Sequence, residues 1–519
     1  MELIKKRIHY VREGKKIFDQ FYVDEEYNVP EAKEDVRRIV DTGTELKIEE
    51  IRPVENYVRI TGKLYFRILY LNVSSDPKPG VLEGKLPFEE MVYAENQEGE
   101  EFYVQNVRIE FTPSLIHSRK LSLRAMVELE VGREKLVDEE TVTDAEGDVP
   151  LYKKMKKVQL LQLEVTKKDT YRIKEEITIP GTKESIGQIL FTDISERKLE
   201  LRPGQDELIV RGELFLFCMY LSGDEKPDWI SQTIPYEGRI PCEGISEEMY
   251  FSIRHTMEDT LTDLRMDEDG EMRILGIEGT LALHMNFYRE ESVELLEDLY
   301  SLQKQCLFDT TEVVCEELLM QNQSKCKVTE RLSLPELKTD VLQILHARGA
   351  IQVEHADRTG EGIRVEGILH LSFLYLRGDD AEPYGSWQGM IPFKHQIECK
   401  EMPEETVYNM EQHIEQLQIT LVGSESVEIK GILTFDTFLR RPVKVWTMEN
   451  VREEPLDLEQ LEKRPSIVGH IVQRGEDLWQ LAKQYMTTKE GIMEVNGMQN
   501  ENVKEGDKLL IFKENMSIL

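Results

Sequence analysis

Residues 58–70 read VRITGKLYFRILY, a segment in which apolar side chains occupy almost every second position. Alternation of this kind is typical of a β-strand with one buried face and one solvated face. The pattern returns as VRGELFLFCMY at residues 210–220 and as VEGILHLSFLY at residues 365–375. Each copy has a glycine near its start and ends on a tyrosine, namely Gly62 and Tyr70, Gly212 and Tyr220, and Gly367 and Tyr375. The repeated strand predicts a fold that is mainly β.

A proline recurs at a fixed distance before each of these strands. It precedes the glycine by 32 residues and is followed three residues later by a lysine. The prolines are Pro30, Pro180 and Pro335. A period of about 150 residues is the size of a whole domain, so we predict one domain in three tandem copies.

Shorter patterns within each copy predict its local structure. The apolar residues after the first proline, Val36, Ile39 and Val40, have spacings of three and four that predict a short helix or turn. The recurring glycine is expected at a bulge or a close backbone approach. Each copy also has an apolar-Pro-aromatic step, which predicts the edge or end of a sheet. These steps are Leu86-Pro87-Phe88, Ile234-Pro235-Tyr236 and Ile391-Pro392-Phe393.

The domain prediction follows from these copies. We expect β-sandwich-like or barrel-like repeats at residues 16–145, 165–300 and 321–448. Residues 449–467 are charged and lose the periodicity, so we interpret them as a linker. Residues 468–513 follow a different pattern and form a fourth domain.

The length and net charge of the chain limit the classes of partner that it can bind. The chain has 519 residues and a net charge of -35, because 100 Asp and Glu outnumber 65 Lys and Arg. A field of this sign repels phosphate backbones, which disfavours nucleic-acid binding. We find no stretch of ~20 apolar residues and no signal-peptide pattern, so we expect a cytoplasmic protein without membrane insertion.

We predict no catalytic, metal or cofactor site. The ten histidines show no metal-ligand spacing, and we find no phosphate-binding glycine loop or nucleophile motif. The six cysteines lack Cys-x-x-Cys spacing and are absent from the first repeat, which favours reduced thiols. The recurring tyrosines are interpreted as core residues, and the protein as non-enzymatic.

Residues 468–513 predict a small α+β domain with the order strand, helix, helix, strand. Ile471 and Val472 indicate the first strand, and Asp477 has the position of a helix N-cap. The second helix carries Ile492 and ends at Asn496-Gly497. One face of the first helix is apolar and consists of Leu478, Leu481, Ala482 and Tyr485.

This order and its residues resemble the LysM domain. In LysM domains that bind N-acetylglucosamine polymers, the groove lies between the loop before the first helix and the loop after the second. The resemblance places that groove at Gly475, Glu476, Asp477 and Leu478 on one side and at Asn496, Gly497 and Met498 on the other. For a protein partner the candidate contacts are Trp479, Leu478 and Ile492, because Trp is enriched at interface hot spots. The alternative for Trp479 is packing within the module.

Three β repeats followed by one LysM domain resemble the spore-coat morphogenetic proteins of endospore-forming bacteria, and the repeat resembles the SPOCS domain, formerly DUF3794. The arrangement is most similar to the clostridial LysM partners of stage IV sporulation protein A. The resemblance implies a coat-assembly scaffold in the mother-cell cytoplasm, at the forespore surface. Its LysM domain would bind the coat-basement ATPase, and its repeats other coat proteins. The alternative is a protein that binds peptidoglycan or another N-acetylglucosamine polymer in the cell wall or spore cortex.

Overall fold

The computed structural model describes residues 1–337, 341–423, 425–457 and 465–513. The first repeat consists of β1 (Glu2–Glu13), β2 (Ile17–Asn28), β3 (Val36–Val54), β4 (Tyr57–Asn72), β5 (Pro79–Tyr93), β6 (Glu101–Phe111), β7 (Ser114–His117) and β8 (Lys120–Glu146). The second consists of β9 (Tyr152–Thr178), β10 (Ile186–Pro203), β11 (Glu207–Ser222), β12 (Pro227–Pro241), β13 (Tyr250–Met266) and β14 (Met272–Tyr300). The third consists of β15 (Lys304–Ser333), a 3-10 helix (Pro335–Leu337), β16 (Val341–Thr359), β17 (Gly362–Arg377), β18 (Tyr384–Glu398), β19 (Val407–Leu421) and β20 (Ser426–Pro455).

Each repeat is a sandwich of two antiparallel sheets. One sheet of each repeat has the strand order β3-β4-β5, β10-β11-β12 or β16-β17-β18, and we call it the smaller sheet because its central strand is shorter. The larger sheets are centred on β8, β14 and β20. In the first repeat, Leu64 and Leu82 of the smaller sheet share a buried cluster with Leu121 and Leu123 of the larger one. The prediction of a mainly β chain with sandwich-like repeats is confirmed.

The recurring glycine lies in the central strand of each smaller sheet, under an aromatic ring of the edge strand. The register pairs Gly62 with Phe88, Gly212 with Tyr236 and Gly367 with Phe393. A Cβ atom added to Gly62 would lie 2.8 Å from the Phe88 ring. The predicted close approach is therefore confirmed. Each aromatic residue belongs to a Pro-aromatic step, and the prolines lie in the edge strands β5, β12 and β18 as predicted.

The helical interpretation of Val36, Ile39 and Val40 is wrong. A turn follows Pro30, and these three residues then lie in β3. The register of β3 shifts between Val36 and Arg38 and again between Ile39 and Asp41. A β-bulge inserts one extra residue, which changes the spacing of buried side chains from two to three and imitates a helical pattern. Strands β10 and β16 have shifts at the equivalent places.

The longest strands continue beyond the sandwiches as two-stranded ribbons. β1 pairs with the second half of β8, while the first halves of β9 and β15 pair with the second halves of β14 and β20. These first strands lie mostly outside the predicted repeats at 16–145, 165–300 and 321–448. Their sequences concealed them, because charged residues interrupt the apolar alternation, as in the segment YKKMKK at 152–157.

Equivalent positions of the three repeats meet in shared apolar clusters. One cluster contains Ile8, Val158 and Val313 of the ribbons, and a second contains Val142, Leu296 and Met448. The smaller sheets meet in a further cluster that includes Val40, Leu190 and Leu345. Because each cluster contains the equivalent residue of all three repeats, the repeats surround a common centre. We call the three repeats together the body.

The C-terminal domain has the predicted order. It consists of β21 (Ile467–Ile471), α1 (Leu478–Tyr485), α2 (Lys489–Asn496) and β22 (Lys508–Phe512), and β21 pairs antiparallel with β22. The side chain of Asp477 caps α1 by accepting a hydrogen bond from the Gln480 N–H, and Gly497 ends α2 in the left-handed conformation. Val472, predicted in the first strand, lies one residue beyond it.

The predicted linker at 449–467 overlaps a strand. β20 continues to Pro455, which pairs with Lys304. The end of this ribbon is exposed and charged, so it lacks the alternation that identified the other strands. Residues 458–464 of the predicted linker lie outside the described residues. The α-helices of the described residues, α1 and α2, have eight residues each and are too short to span a bilayer.

Candidate partner-binding site

The LysM-like domain has a small apolar core that includes two of the predicted contact residues. Leu478, at the start of α1, and Ile492, in α2, are both buried. They share a cluster with Leu481 and Ile511. The sequence prediction assigned Leu478 and Ile492 to a partner surface, whereas the structure shows both as core residues of the domain.

Trp479 is covered by the body. Its side chain is 6% exposed. The indole Nε1 donates a 2.7 Å hydrogen bond to Oδ2 of Asp298, and the ring meets that of Tyr300 edge to face with centroids 4.9 Å apart. Both partners lie at the end of β14 in the second repeat. Neither of the two sequence-based readings of Trp479 described this contact, and its role toward an external partner stays a prediction.

Further polar contacts hold the same side of the domain against the body. Lys483 Nζ lies 2.6 Å from Oδ1 of Asp298, so this carboxylate accepts hydrogen bonds from two residues of α1. The Tyr300 hydroxyl donates to the main-chain oxygen of Thr487 over 2.9 Å. We call the contacts of Asp298 and Tyr300 with Trp479, Lys483 and Thr487 the docking interface. Sequence reasoning missed Asp298 and Tyr300, because nothing in the local pattern links them to a domain almost 200 residues later.

The first side of the predicted glycan groove is occupied by contacts of the protein itself. Asp477 accepts a 2.7 Å hydrogen bond from the Gln480 N–H, and its second carboxylate oxygen lies 3.2 Å from Lys154 Nζ of β9. Leu478 is buried. Gly475, with a φ of 87°, makes the turn that precedes them.

Glu476 stabilises the loop before α1. Its carboxylate accepts a 2.8 Å hydrogen bond from the Gln473 N–H and lies 2.7 Å from Nε2 of His470. The Gln473 N–H and then the His470 ring hold the pKa of Glu476 below its ordinary value. The carboxylate of Glu476 is thus bound within its own loop.

The second side of the predicted groove is formed by Asn496, Gly497 and Met498. The Asn496 side-chain amide donates to the main-chain oxygens of Ile492 and Leu510, each over 2.8 Å. The bond to Ile492 lies within α2, whereas the bond to Leu510 joins α2 to β22, and the Leu510 N–H donates back to the Asn496 Oδ1 over 2.8 Å. Gly497 is exposed with a φ of 63°, and Met498 is partly buried against the core.

An exposed apolar face lies on the two-stranded sheet of this domain. Ile467, Ile471, Leu510 and Phe512 are 54%, 59%, 43% and 39% exposed. Ile467 pairs directly with Phe512, which brings the side chains of both strands onto one surface. We call these four residues the strand face. The sequence indicated the strand face by the uninterrupted apolar run LLIF at 509–512, which places apolar side chains on both faces of β22.

The recurring positions of the repeats have structural roles. Tyr70 and Tyr220 are buried and Tyr375 is partly buried. Pro30 and Pro180 precede tight turns, and Pro335 begins the 3-10 helix. The glycines Gly62, Gly212 and Gly367 lie under aromatic rings as described above. Among the described residues we find no group of three or more His, Cys, Asp and Glu suited to a metal ion, and the six cysteines are free thiols.

Comparison with known proteins identifies four segments. The family model described as SipL, SPOCS domain, matches residues 35–112, 185–265 and 340–422, and the model of the LysM domain matches residues 470–512. The three SPOCS segments cover the smaller sheet of each repeat and the strand that follows it, β6, β13 or β19. No curated protein and no solved structure matches the chain.

Proposed function

This chain belongs to the SPOCS-domain proteins that carry a C-terminal LysM domain, and from this we propose that it is a non-enzymatic scaffold of spore-coat assembly. SPOCS and LysM are binding domains without catalytic activity, and LysM is of the peptidoglycan-binding type. In our proposal the LysM domain binds the coat-basement ATPase that resembles stage IV sporulation protein A, and the repeats bind other coat proteins. The site of action is the mother-cell cytoplasm, at the forespore surface.

The strand face is the observation that supports a protein partner. Four large apolar side chains are exposed on a domain of fewer than 50 residues, and they lie side by side on two paired strands. Contiguous apolar surface of this kind marks interaction sites, whereas apolar residues scattered singly do not. The groove residues Asp477 and Asn496 are meanwhile engaged in contacts within the protein.

The test is a binding measurement between the full chain and the purified ATPase. We expect the double variant Ile471→Ser/Phe512→Ser to lose about 2 kcal/mol or more of binding free energy, roughly thirtyfold in Kd. The matched control is Trp446→Ser, which removes an equally exposed apolar side chain, 55% exposed, from the body. Equal affinity of the double variant and the wild type would exclude the strand face as the binding surface.

The second candidate function is binding of peptidoglycan or another N-acetylglucosamine polymer. The LysM fold and two exposed left-handed glycines, Gly475 and Gly497, favour it, because glycines leave the main chain of the groove accessible. Gly497→Asn adds a side chain in the groove while keeping a backbone conformation that Asn tolerates. Retention of the full chain on purified peptidoglycan that is abolished in Gly497→Asn would establish this function. Absence of retention would exclude it.

A further inference from the structure

The larger sheet of the first repeat has a free edge along strand β2. This strand pairs with β8 along its whole length, and no other described strand pairs with it. A free edge carries main-chain N–H and C=O groups that can pair with a further strand, so proteins usually protect it with charged side chains, prolines or bulges. β2 contains no proline, and its register with β8 has no bulge.

The side chains of β2 that point away from the core include two exposed aromatic rings. Phe18 and Tyr22 are 61% and 58% exposed. Gln20 lies between them, Lys16 precedes them and Asp24 follows them, and these three residues are exposed as well. Because successive side chains of a strand point to opposite faces, the five residues lie on one face of the sheet. We call them the outer row of β2.

The other two repeats have polar, mostly positively charged residues at the places of the two aromatic residues. These places lie twelve and eight residues before the recurring proline of each repeat. They are occupied by Phe18 and Tyr22 in the first repeat, Lys168 and Arg172 in the second, and Gln323 and Lys327 in the third. All six side chains are exposed. Lysine on an edge strand prevents unwanted pairing, and the outer row of β2 lacks that protection at these two places.

The outer row is complementary to itself when two copies of β2 run antiparallel. If Gln20 of one copy lies opposite Gln20 of the other, then Phe18 lies opposite Tyr22, and Lys16 lies opposite Asp24. Aromatic pairs and pairs of opposite charge stabilise antiparallel strands when they are directly opposite. A shift of the register by two residues would place Phe18 opposite Gln20 or opposite Asp24 and would lose both kinds of pair.

The same pairing is unfavourable for the equivalent strands of the other repeats. Two copies of β9 would place Lys168 opposite Arg172. Two copies of β15 would place Lys325, the equivalent of Gln20, opposite itself. Like charges directly opposite each other destabilise a strand pair. Of the three equivalent edges, β2 is therefore the one that favours pairing with its own copy.

We propose that β2 is a self-association surface through which two copies of this chain form a symmetric dimer. The two strands pair antiparallel about a two-fold axis at Gln20, and the larger sheets of the two first repeats become one continuous sheet. The same residues of both copies form the interface, as is usual in homodimers with two-fold symmetry. Phe18 and Tyr22 of each copy are then covered by the other.

The test is sedimentation equilibrium of the full chain in physiological salt, which screens the repulsion between two acidic chains. We expect the wild type to form dimers at micromolar concentration and Phe18→Lys/Tyr22→Arg to weaken the dimer at least tenfold. Lys168 and Arg172 already hold the equivalent places in β9, so the variant should fold, and its circular dichroism spectrum checks this. The substitutions lower the net negative charge, so a general charge effect would strengthen association instead.

The matched control is Leu261→Lys/Met390→Arg, which adds the same charges at two side chains of the other repeats, each 63% exposed. It should dimerise as the wild type does, and an equal loss in this control would overturn the proposal. A wild type that stays monomeric in the upper micromolar range would also overturn it. If Phe18→Lys/Tyr22→Arg dimerises as the wild type does, the copies associate through another surface, such as the strand face, and the proposal is equally overturned.

A cysteine at the two-fold axis tests the register. Directly opposite Cα atoms of antiparallel strands are about 4.5 or 5.5 Å apart, a distance that a disulfide can bridge. Gln20→Cys should therefore form a covalent dimer on mild oxidation, beyond any background from the native thiols of the wild type. Glu26→Cys is the control, because it is exposed on the same face but would lie about 40 Å from its copy in the proposed register. Equal cross-linking of the two variants, or none in Gln20→Cys, would overturn the pairing about Gln20.

Discussion

At the scale of single residues, the three repeats share their glycines but differ at the centre where they meet. The residue after the second bulge of β3, β10 and β16 is Asp41, Phe191 and His346, respectively. The residue two positions later is Gly43, Asp193 and Arg348. Arg348 lies 2.7 Å from both carboxylate oxygens of Asp41, and His346 lies 2.9 Å from Asp193. The third repeat thus makes a different polar contact with each neighbour, an ion pair with the first repeat and a histidine–carboxylate hydrogen bond with the second. Such contacts favour one arrangement of the copies over others.

We expect Gly212→Ala to destabilise the protein. A Cβ atom there would lie 2.5 Å from Cζ of Tyr236, so the ring has to move. Overpacking of this kind costs about 1–3 kcal/mol. The decrease in the free energy of unfolding can be measured by urea unfolding. Gly181→Ala is the control, since its added Cβ meets no atom within 4 Å. Equal stability of the two variants would contradict the close approach of strand and ring.

A pH dependence is expected from His284. Burial and then the Arg254 guanidinium lower the pKa of His284 to about 4, against about 6.5 in an unfolded chain. At pH values between these two pKa values, His284 binds a proton in the unfolded state but not in the folded state. The free energy of unfolding therefore falls as the pH falls from about 6.5 to 4, by at most about 3 kcal/mol from this residue.

The difference between wild type and His284→Gln isolates this contribution. Burial raises the pKa of the adjacent Glu134, which works in the opposite direction by stabilising the fold as the pH falls through that raised value. The wild type should lose more stability than the variant between pH 7 and pH 4 in urea unfolding. Parallel curves for the two proteins would show that His284 does not titrate abnormally.

At the scale of elements, the sequence identified strands where one face is apolar and the other polar. The glycine strands around Gly62, Gly212 and Gly367 were predictable for this reason, and so was the helix cap at Asp477. The bulged start of β3 was not predictable, because each inserted residue changes the spacing of the buried side chains. The ribbons were not predictable, because charged residues interrupt their apolar alternation. The buried state of Trp479 depends on β14, which no local pattern connects to α1.

Release of the LysM domain is expected in Asp298→Ala. The change removes the acceptor of both Trp479 Nε1 and Lys483 Nζ. Hydrogen bonds that involve a charged group contribute about 1.5–3 kcal/mol, so docking should weaken by that order. Hydrogen exchange should then be faster at the main-chain amides of β14 near Tyr300 and of the segment around Thr487.

The control for the docking interface is Asp309→Ala. Asp309 is an exposed carboxylate on β15 whose side chain contacts Asn450, also exposed, and lies outside the docking interface. The variant Asp309→Ala should leave the rate of main-chain hydrogen exchange at Tyr300 and Thr487 unchanged. Unchanged exchange in Asp298→Ala as well would mean that Asp298 does not hold the domain in place.

At the scale of the whole molecule, three tandem copies behave as one body because their apolar surfaces meet. The sequence predicted the copies but not their mutual contacts, since the shared clusters take single positions from strands about 150 residues apart. The clusters around Ile8, Val142 and Val40 each contain residues of all three repeats. A repeat removed from the body would expose these residues to water. The repeats therefore stabilise one another.

This argument predicts that the first repeat, made as residues 1–148, associates with residues 149–519 made as a separate chain. The cut falls in the loop between β8 and β9, so every strand stays intact. Co-expressed with different tags, the two pieces should co-purify as a one-to-one complex even in 1 M salt, because apolar burial is not screened by salt. Val142→Asp in the short piece should abolish the complex, while substitution of the exposed Phe18 by Asp should not. Two soluble monomeric pieces with no affinity for each other would show that the repeats are independent domains joined in series.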